Sequence, residues 1–312
     1  MRKEFIYGTT TWIDLENPSY DEIISVADEF SLDSISTKDL INQTEYSRAR
    51  VLPHYIHLTM YFPTDRYDNT TLWETKLDIM VFGSTLITAH NSPLDGLLEF
   101  EKKLETQYLI QKKTANLSGY VLFTSLLKLL YGIISEEIHN VSGDLKKVED
   151  KIFSGEEEYM VYTLASVNRI ILSCNRTLKN HAQLFETILI KKHVFSDESF
   201  IEYIEDLHTQ YHYLESQVEN TKLILDDLRE TGFLLVQLGS AKSFYVITSI
   251  ACLSTPIATM CAVIASGLFN DTFFDTTLGI YLLLAFAGLA SILLFTYFTK
   301  KKSKHAYVSS RL

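Results

Sequence analysis

The spacing of apolar and polar residues changes twice along the chain. Over residues 1–106, short runs rich in β-forming residues alternate with segments of helical periodicity, which is typical of an α/β domain. Over residues 107–242, apolar residues recur every three or four positions, which predicts a helical bundle and stalk. Residues 243–312 are almost continuously apolar until a short basic tail, which predicts a membrane hairpin with a polar end.

In the first part we expect strands within residues 5–14, 51–62 and 77–82, and at 85–90. Helices should begin at Asn17-Pro18 and at Pro93, because Asn caps helices and Pro is favoured at the first helical position. The first of these helices carries an apolar stripe of Ile23, Ile24, Val26, Ala27 and Phe30.

The last helix of the second part has a nearly regular heptad seam. Only Thr221 interrupts the apolar positions of that seam. These positions are Ile204, Leu207, Tyr211, Leu214, Val218, Leu225 and Leu228. No proline lies between Val194 and Pro256, so we expect one continuous helix from about residue 197 to residue 267.

Two segments of the third part are long enough to cross a bilayer. Residues 244–269 and 278–299 contain no charged side chain, and roughly 20 apolar helical residues span the hydrocarbon core. Asp271 and Asp275 are the only charges between them. We therefore expect a membrane-spanning hairpin, and a buried hairpin of a soluble protein is the weaker alternative.

Charge asymmetry predicts how the hairpin is oriented. Lys300, Lys301, Lys302 and Lys304 follow the second span, whereas the connecting loop is acidic. By the positive-inside rule both termini are cytoplasmic and the loop is external. The N-terminus has no continuous apolar run, so no signal peptide is expected. The expected location is the cell (inner) membrane, as a multi-pass protein with the lipid bilayer as a partner.

Composition excludes several other functions. The net charge of −11 argues against nucleic acid as a partner. Three cysteines make no disulfide framework. No nucleophile–base arrangement, phosphate-binding glycine loop or CxxC pair occurs in the sequence, so we do not expect an enzyme.

Several phrases carry a family resemblance. They are WIDLENPSYDEI at 12–23, MYFP at 60–63 and LITAHNSP at 86–93, followed by a long stalk and a C-terminal hairpin with a basic end. In this order they resemble the CorA family of divalent-cation channels. The resemblance implies an α+β fold, with a cytosolic α/β domain, a long helical stalk and two C-terminal transmembrane helices in a funnel-shaped homopentamer. It also implies transport of Mg²⁺, or of Co²⁺, Ni²⁺ or Zn²⁺, across the cell membrane.

The sequence departs from the family at the external mouth of the pore. In CorA proteins the first membrane helix ends in Gly-Met-Asn, and this chain has no such motif. One alignment places Gly267, Asn270 and Asp271 at the filter, with Asn270 as an amide ring and the loop aspartates as an outer rim. Another, anchored on Pro256, places residues 265–267 there, one helical turn earlier. An ordinary helix end and polar turn is the alternative to both.

The resemblance also assigns roles to residues further inside the chain. Phe244 and Ile247 fall where related proteins have a hydrophobic constriction, and Thr248, Thr255 and Thr259 would offer hydroxyls to a hydrated ion. A helix-packing face is the alternative for these five residues, because small residues and Thr are favoured between membrane helices.

Regulation of the channel would involve cytosolic carboxylates. In this family such groups bind Mg²⁺ between subunits, so Asp226 and Asp227 are candidates for a regulatory site, and a solvated surface is the alternative.

Two histidine pairs, His54 with His57 and His208 with His212, are further candidates for metal ligands. His208 and His212 are spaced to share a helix face, but no third ligand accompanies them in the sequence, so a solvated face is favoured.

Two functions of different classes follow from these observations. The first is a CorA-like channel for a divalent cation. The second is a non-conducting membrane scaffold that kept the architecture and lost the selectivity filter.

Overall fold

A computed structural model describes residues 1–42, 46–63, 74–110, 118–152, 157–195 and 198–265, together with residues 281, 285, 288 and 289. The strands are β1 (Arg2–Tyr7), β2 (Thr10–Glu16), β3 (Arg48–Val51), β4 (Ile56–Pro63), β5 (Glu74–Val81) and β6 (Thr85–His90). The helices are α1 (Tyr20–Glu29), α2 (Ser34–Ile41), α3 (Asp95–Ile110), α4 (Gly119–Lys151), α5 (Glu157–Leu178), α6 (His181–Ile190) and α7 (Glu198–Ala265).

The chain divides into two compact units, Met1–Glu230 and Thr231–Leu312. The α/β domain and most of the helical bundle belong to the first unit. The three-part division at residues 106 and 242 stays a prediction.

The six strands form one mixed sheet in the order β1-β2-β6-β5-β4-β3. Strands β2 and β6 are parallel, with Thr11 opposite Thr85 and Glu16 opposite His90, and the other four pairings are antiparallel. The β-forming residues expected within 51–62 belong to two strands, because β3 ends at Val51 and β4 begins at Ile56. Pro53 has no N–H to continue the ladder, and the amide of Leu52 donates to the carbonyl of Tyr55 at 2.9 Å across the turn.

Helix α1 begins later than the Asn17-Pro18 pair predicts. Its N-cap is Ser19, whose hydroxyl accepts from the amide of Glu22, while the Glu22 carboxylate accepts from the amide of Ser19. This reciprocal capping box satisfies two amides, which a single Asn cap cannot do. Asn17 instead has a φ of 44° and donates its amide to the carbonyl of His90, so it ends β2 rather than starting the helix.

Helices cover both faces of the sheet. On one face, sheet residues such as Leu15 and Met80 pack against Ile23 and Val26 of α1 and Leu40 of α2. On the other face, the Trp12 ring lies 5.2 Å from Phe100 of α3. Phe62, also on that face, lies between rings from α4 and α6. The first unit is therefore a three-layer α/β/α sandwich in which each helix buries an apolar stripe.

Two buried aspartates connect neighbouring strands through polar side chains. Asp14 accepts from the Thr88 hydroxyl at 2.6 Å, and its other oxygen lies 3.4 Å from His90 Nε2. Burial lowers the pKa of His90, but the hydrogen bond and charge of Asp14 outweigh it, and the pKa is raised. Asp78 is held in the same way by Thr59 and His57.

The His54–His57 pair, considered as a possible metal site, is not one. His57 is buried against Asp78, and the Lys76 ammonium lies 2.8 Å from the same carboxylate, in the place that a bound cation would need. His54 is exposed at the surface. His57 therefore has a structural role in the sheet, and the two histidines do not act together as metal ligands.

Helix α7 is continuous through Pro256, as the sequence predicts. All seven seam residues of α7 and Thr221 are buried within the first unit. Tyr211 packs 6.4 Å from the Tyr131 ring of α4, and Thr221 Oγ1 lies 3.3 Å from Ser142 Oγ. The hydroxyl that interrupts the seam therefore faces another hydroxyl on the neighbouring helix.

Helix α4 begins directly against the β5–β6 turn. Its N-cap is Ser118, and the amide of Gly119 donates to the carbonyl of Gly83 at 3.1 Å. A Cβ atom on Gly119 would collide with the carbonyl oxygens of Phe82 and Thr85. Glycine is needed here because the helix end approaches the sheet backbone too closely for any side chain.

Candidate functional site

The C-terminal part of α7 is apolar and exposed. From Ser243 to Ala265 the helix carries no charged side chain. Within Ser199–Thr259, its most apolar window is long and hydrophobic enough to cross a membrane, and none of that window is buried inside the protein. Phe244 is 69% exposed and Ile247 62% exposed. Such a helix surface is suited to lipid or to other copies of the chain, because it is costly to leave in water.

The five residues predicted to line a pore lie on one face of this helix. At about 100° per residue, Phe244, Ile247, Thr248, Thr255 and Thr259 fall within an arc of about 120°. Since α7 is unbroken over this stretch, the helix brings them into one stripe. That stripe is apolar at its N-terminal end and rich in hydroxyls further along.

The hydroxyl groups of the stripe are held by the helix backbone. Thr248 donates to the carbonyl of Phe244 at 2.8 Å, and Thr255 donates to that of Ala251 at 2.7 Å. Thr259 donates to the carbonyls of Thr255 and Pro256. Each hydroxyl hydrogen is thus engaged, and the lone pairs remain directed outward as acceptors for water or for a hydrated cation.

Pro256 adds a further acceptor near this stripe. A proline has no N–H to donate to the carbonyl four residues earlier, here that of Cys252. The helix nevertheless continues to Ala265. The stretch around Pro256 therefore presents carbonyl and hydroxyl oxygens that are not fully used by the helix.

The predicted filter residues Gly267, Asn270 and Asp271 lie outside the described residues. Of the second predicted span, positions 281, 285, 288 and 289 are described, and all four are helical. The two proposed alignments of the filter both begin at or beyond the last turn of α7, which ends at Ala265.

The predicted regulatory carboxylates are on the surface of α7. Asp226 and Asp227 are exposed, and Asp226 lies 4.0 Å from the Arg229 guanidinium. Among the described residues, no group of three or more His, Cys, Asp or Glu side chains is arranged to hold a metal ion. The described part of one chain therefore does not supply these two aspartates with the further ligands that a regulatory site needs.

The two stalk histidines are brought together, as their spacing predicts. His208 Nε2 lies 3.1 Å from His212 Nε2, and His212 Nδ1 lies 3.2 Å from a carboxylate oxygen of Glu215. Partial burial, and then the charge of His212, lower the pKa of His208. Sequence reasoning missed Glu215, although its position three residues after His212 places it on the same side of the helix.

Solved structures with the same fold include the complete CorA magnesium transporter from Methanocaldococcus jannaschii. It is 16% identical to this chain with a TM-score of 0.72, and the match covers 93% of this chain and 89% of that one. Full-length CmaX is 12% identical with a TM-score of 0.71, over 93% of this chain and 88% of its own.

The cytoplasmic domain of ZntB from Vibrio parahaemolyticus RIMD 2210633 matches at 12% identity and a TM-score of 0.59. That match covers 73% of this chain and 88% of that one. Among curated proteins, none matches this chain. A family model described as "CorA-like Mg2+ transporter protein" matches residues 7–300. The chain therefore belongs to the CorA-like Mg²⁺ transporter family.

Proposed function

We propose that this protein is a homopentameric channel that moves Mg²⁺, or a related divalent cation, across the cell membrane. The observation that carries the proposal is the exposed, uncharged end of α7, which bears one stripe of threonine hydroxyls in a chain of this family. In the proposed assembly the five copies of this helix surround a central axis, and the second span faces lipid.

The chemistry of the stripe suits a hydrated ion. Magnesium prefers oxygen ligands and gives up its water reluctantly, so a pore for it has to accept hydrogen bonds from bound water. Thr255 and Thr259 provide such acceptors in five copies. Phe244 and Ile247 would form a narrow apolar ring at the cytoplasmic end, where a dry constriction stops ion flow.

Asn270 and Asp271 are proposed for the external mouth of the pore. Five amide oxygens from Asn270 would hold a hydrated ion, and five carboxylates from Asp271 would attract cations toward it. Gly267 would allow close approach of neighbouring helices at this level. This placement rests on the sequence and the family pattern.

Exposed apolar residues on α7 support assembly with further copies of the chain. Phe233, Leu234 and Leu238 are 63%, 52% and 67% exposed in the single chain. They immediately precede the uncharged stretch, so the same helix would pass from contacts between subunits to the pore. Mass measurement in detergent should give five chains, and a stable monomer or dimer would contradict the assembly.

Asp226 and Asp227 are proposed as part of a regulatory Mg²⁺ site between subunits. Their exposed carboxylates need ligands from another chain, because one chain does not supply them among the described residues. Mg²⁺ would thus be both the transported ion and a regulator. Replacing both aspartates by Ala should leave transport active at cytosolic Mg²⁺ concentrations that close the unmodified channel.

Ion uptake into liposomes tests the proposed function directly. Protein in vesicles that contain a Mg²⁺ indicator should give uptake that increases with an inward membrane potential. A matched variant, Thr255→Val, keeps the side-chain shape and removes the hydroxyl, so it should assemble normally and conduct less. Tyr281→Phe, on the second span, serves as the control and should conduct normally.

The absence of Gly-Met-Asn supports a second function, a non-conducting membrane scaffold. Under this function the wild-type protein would form the same pentamer, and vesicles that contain it would take up no divalent cation at any potential. Mass measurement and uptake measured on the same preparation therefore separate the two functions.

A further inference from the structure

The His208–His212 pair on α7 has a geometry that a solvated helix surface does not require. The two Nε2 atoms point at each other and lie 3.1 Å apart. In the free protein one Nε2–H donates to the other nitrogen's lone pair. Solvated imidazoles four residues apart gain little from such an arrangement, because water offers the same hydrogen bonds.

This separation matches the distance between two nitrogens bound to a single metal ion. Imidazole nitrogens bind zinc at about 2.0–2.1 Å, so two of them lie about 3.3 Å apart at a tetrahedral angle. At the right angle of octahedral coordination the same bond lengths give about 2.9 Å. The observed distance lies between these values, so chelation needs a small rotation of the rings and a change of tautomer at His208, in which the proton leaves Nε2 and water supplies one to Nδ1.

Glu215 fixes the tautomer that chelation requires. A carboxylate accepts hydrogen bonds, so His212 Nδ1, 3.2 Å from Glu215 Oε2, carries the proton and His212 Nε2 carries the lone pair. Glu215 is itself held by the Tyr211 hydroxyl, which donates to its other oxygen at 2.9 Å. A carboxylate behind a metal-binding histidine is the usual second layer of a zinc site.

Neighbouring residues orient the other histidine. The ring of Phe185 on α6 packs 6.1 Å from the His208 ring. The negative charge of the adjacent Glu186 favours the protonated form of His208. Glu186 thus adds a second negative charge near the pair. The pair of imidazoles is therefore flanked by Glu215 of α7 and by Phe185 and Glu186 of α6.

We propose that His208 and His212 chelate a transition-metal dication through their Nε2 atoms, with water completing the coordination and Glu215 orienting His212. Imidazole ligands select Zn²⁺, Ni²⁺, Co²⁺ and Cu²⁺, whereas Mg²⁺ prefers oxygen. The site therefore does not bind Mg²⁺, the first of the ions proposed for the pore. It lies on the helix that continues into the apolar stretch, so a bound ion would stiffen one turn of α7.

Equilibrium dialysis of the full-length, untagged protein against Zn²⁺ tests the site without any transport measurement. Wild-type protein should bind about one more Zn²⁺ per chain than the His208→Gln/His212→Gln variant, and a large excess of Mg²⁺ should not displace it. Glu215→Gln should weaken this binding roughly 10- to 100-fold, as expected for loss of a second-layer carboxylate. His139→Gln, which removes an exposed imidazole from α4, is the matched control and should bind as wild type does.

A second measurement reports the ligands themselves. Bound Cu²⁺ should show coupling to two nitrogen nuclei in its paramagnetic resonance spectrum, and the double variant should lose that coupling. Equal Zn²⁺ binding by wild type and double variant, with both showing the same helical circular dichroism, would overturn the proposal. Because neither measurement involves ion flux, a failure here is distinct from a failure of the proposed channel.

Discussion

The hydroxyl oxygen of Tyr131 lies 3.1 Å from Nδ1 of His181, deep between α4 and α6. Burial lowers the pKa of His181 to about 3, and a hydrogen bond to the backbone of Tyr61 only partly opposes this effect. The imidazole is therefore neutral in the folded protein and accepts the hydrogen bond of the phenol.

Unfolding should consequently become easier as the pH falls. Between about pH 6.5 and pH 3 the unfolded chain binds a proton at His181 and the folded chain does not. This one residue should lower the free energy of unfolding by up to roughly 1.4 kcal/mol for each pH unit over that range. Urea unfolding followed by circular dichroism at several pH values measures the slope.

A double substitution isolates this contribution. Changing both His181→Phe and Tyr131→Phe removes the proton-binding group and leaves no phenol without its acceptor. The variant should show a smaller dependence of stability on pH below 6.5. The same slope in both proteins would mean that His181 does not titrate on unfolding.

Two glycines of α4 should respond in opposite directions to substitution by alanine. Gly119→Ala should destabilise the protein by about 1–3 kcal/mol, because its Cβ would collide with the carbonyl oxygens of Phe82 and Thr85. Gly132→Ala meets nothing within 4 Å and should stabilise by about 0.5–1 kcal/mol through better helix propensity. Thermal unfolding of both variants checks this, and equal shifts would argue against the close helix–sheet contact.

The spacing of apolar residues predicted the helices and strands of this fold well. It did not predict which of them pack or pair with one another. The seam of α7 was evident from its spacing, yet spacing does not identify α4 as the helix that covers Tyr211. The parallel pairing of β2 with β6 joins residues more than 70 positions apart, and no local pattern encodes it. Glu22, three positions after Ser19, indicates a capping box with Ser19 as the N-cap. The Asn17-Pro18 pair instead led us to predict an earlier start of the helix.

Side-chain contacts set a similar limit at the candidate sites. The spacing of His208 and His212 showed that they share a face, and it did not show that Glu215 orients one of them. The stripe from Phe244 to Thr259 followed directly from helical geometry. Helical geometry gives no such prediction for the filter, because the family motif is absent and the sequence fits two alignments one turn apart.

Two substitutions at the external mouth should distinguish the electrostatic attraction of cations by Asp271 from their direct binding by Asn270. Asp271→Asn should weaken cation capture most at low ionic strength, since an exposed charge is screened over about 10 Å at 0.1 M salt. Asn270→Ala should reduce flux at every salt concentration. Uptake in proteoliposomes at several ionic strengths measures both. If Asn270→Ala conducts as well as wild type, the filter at residues 265–267 becomes the better alignment.

Cysteine labelling should reveal the orientation of the hairpin. A cysteine introduced at Thr272 should react with a membrane-impermeant reagent from outside the cell, and one introduced at Ser303 only after permeabilisation. The lysines after the second predicted span and the aspartates before it predict this orientation. The native Cys174, Cys252 and Cys261 are first replaced by Ser or Ala. Labelling of the Ser303→Cys variant in intact cells would contradict the proposed topology.

The position of β6 in the sheet has a consequence for how the protein folds. Strands β1 and β2 form one local hairpin, and β3, β4, β5 and β6 form a local antiparallel group, so the parallel pairing of β2 with β6 joins the two. That pairing closes a long loop, so we expect it to limit the folding rate. The conservative substitution Ile87→Val should then slow refolding about in proportion to the stability it removes, and leave the unfolding rate nearly unchanged. Stopped-flow refolding that is unaffected, with faster unfolding, would show that β2 and β6 pair after the rate-limiting step.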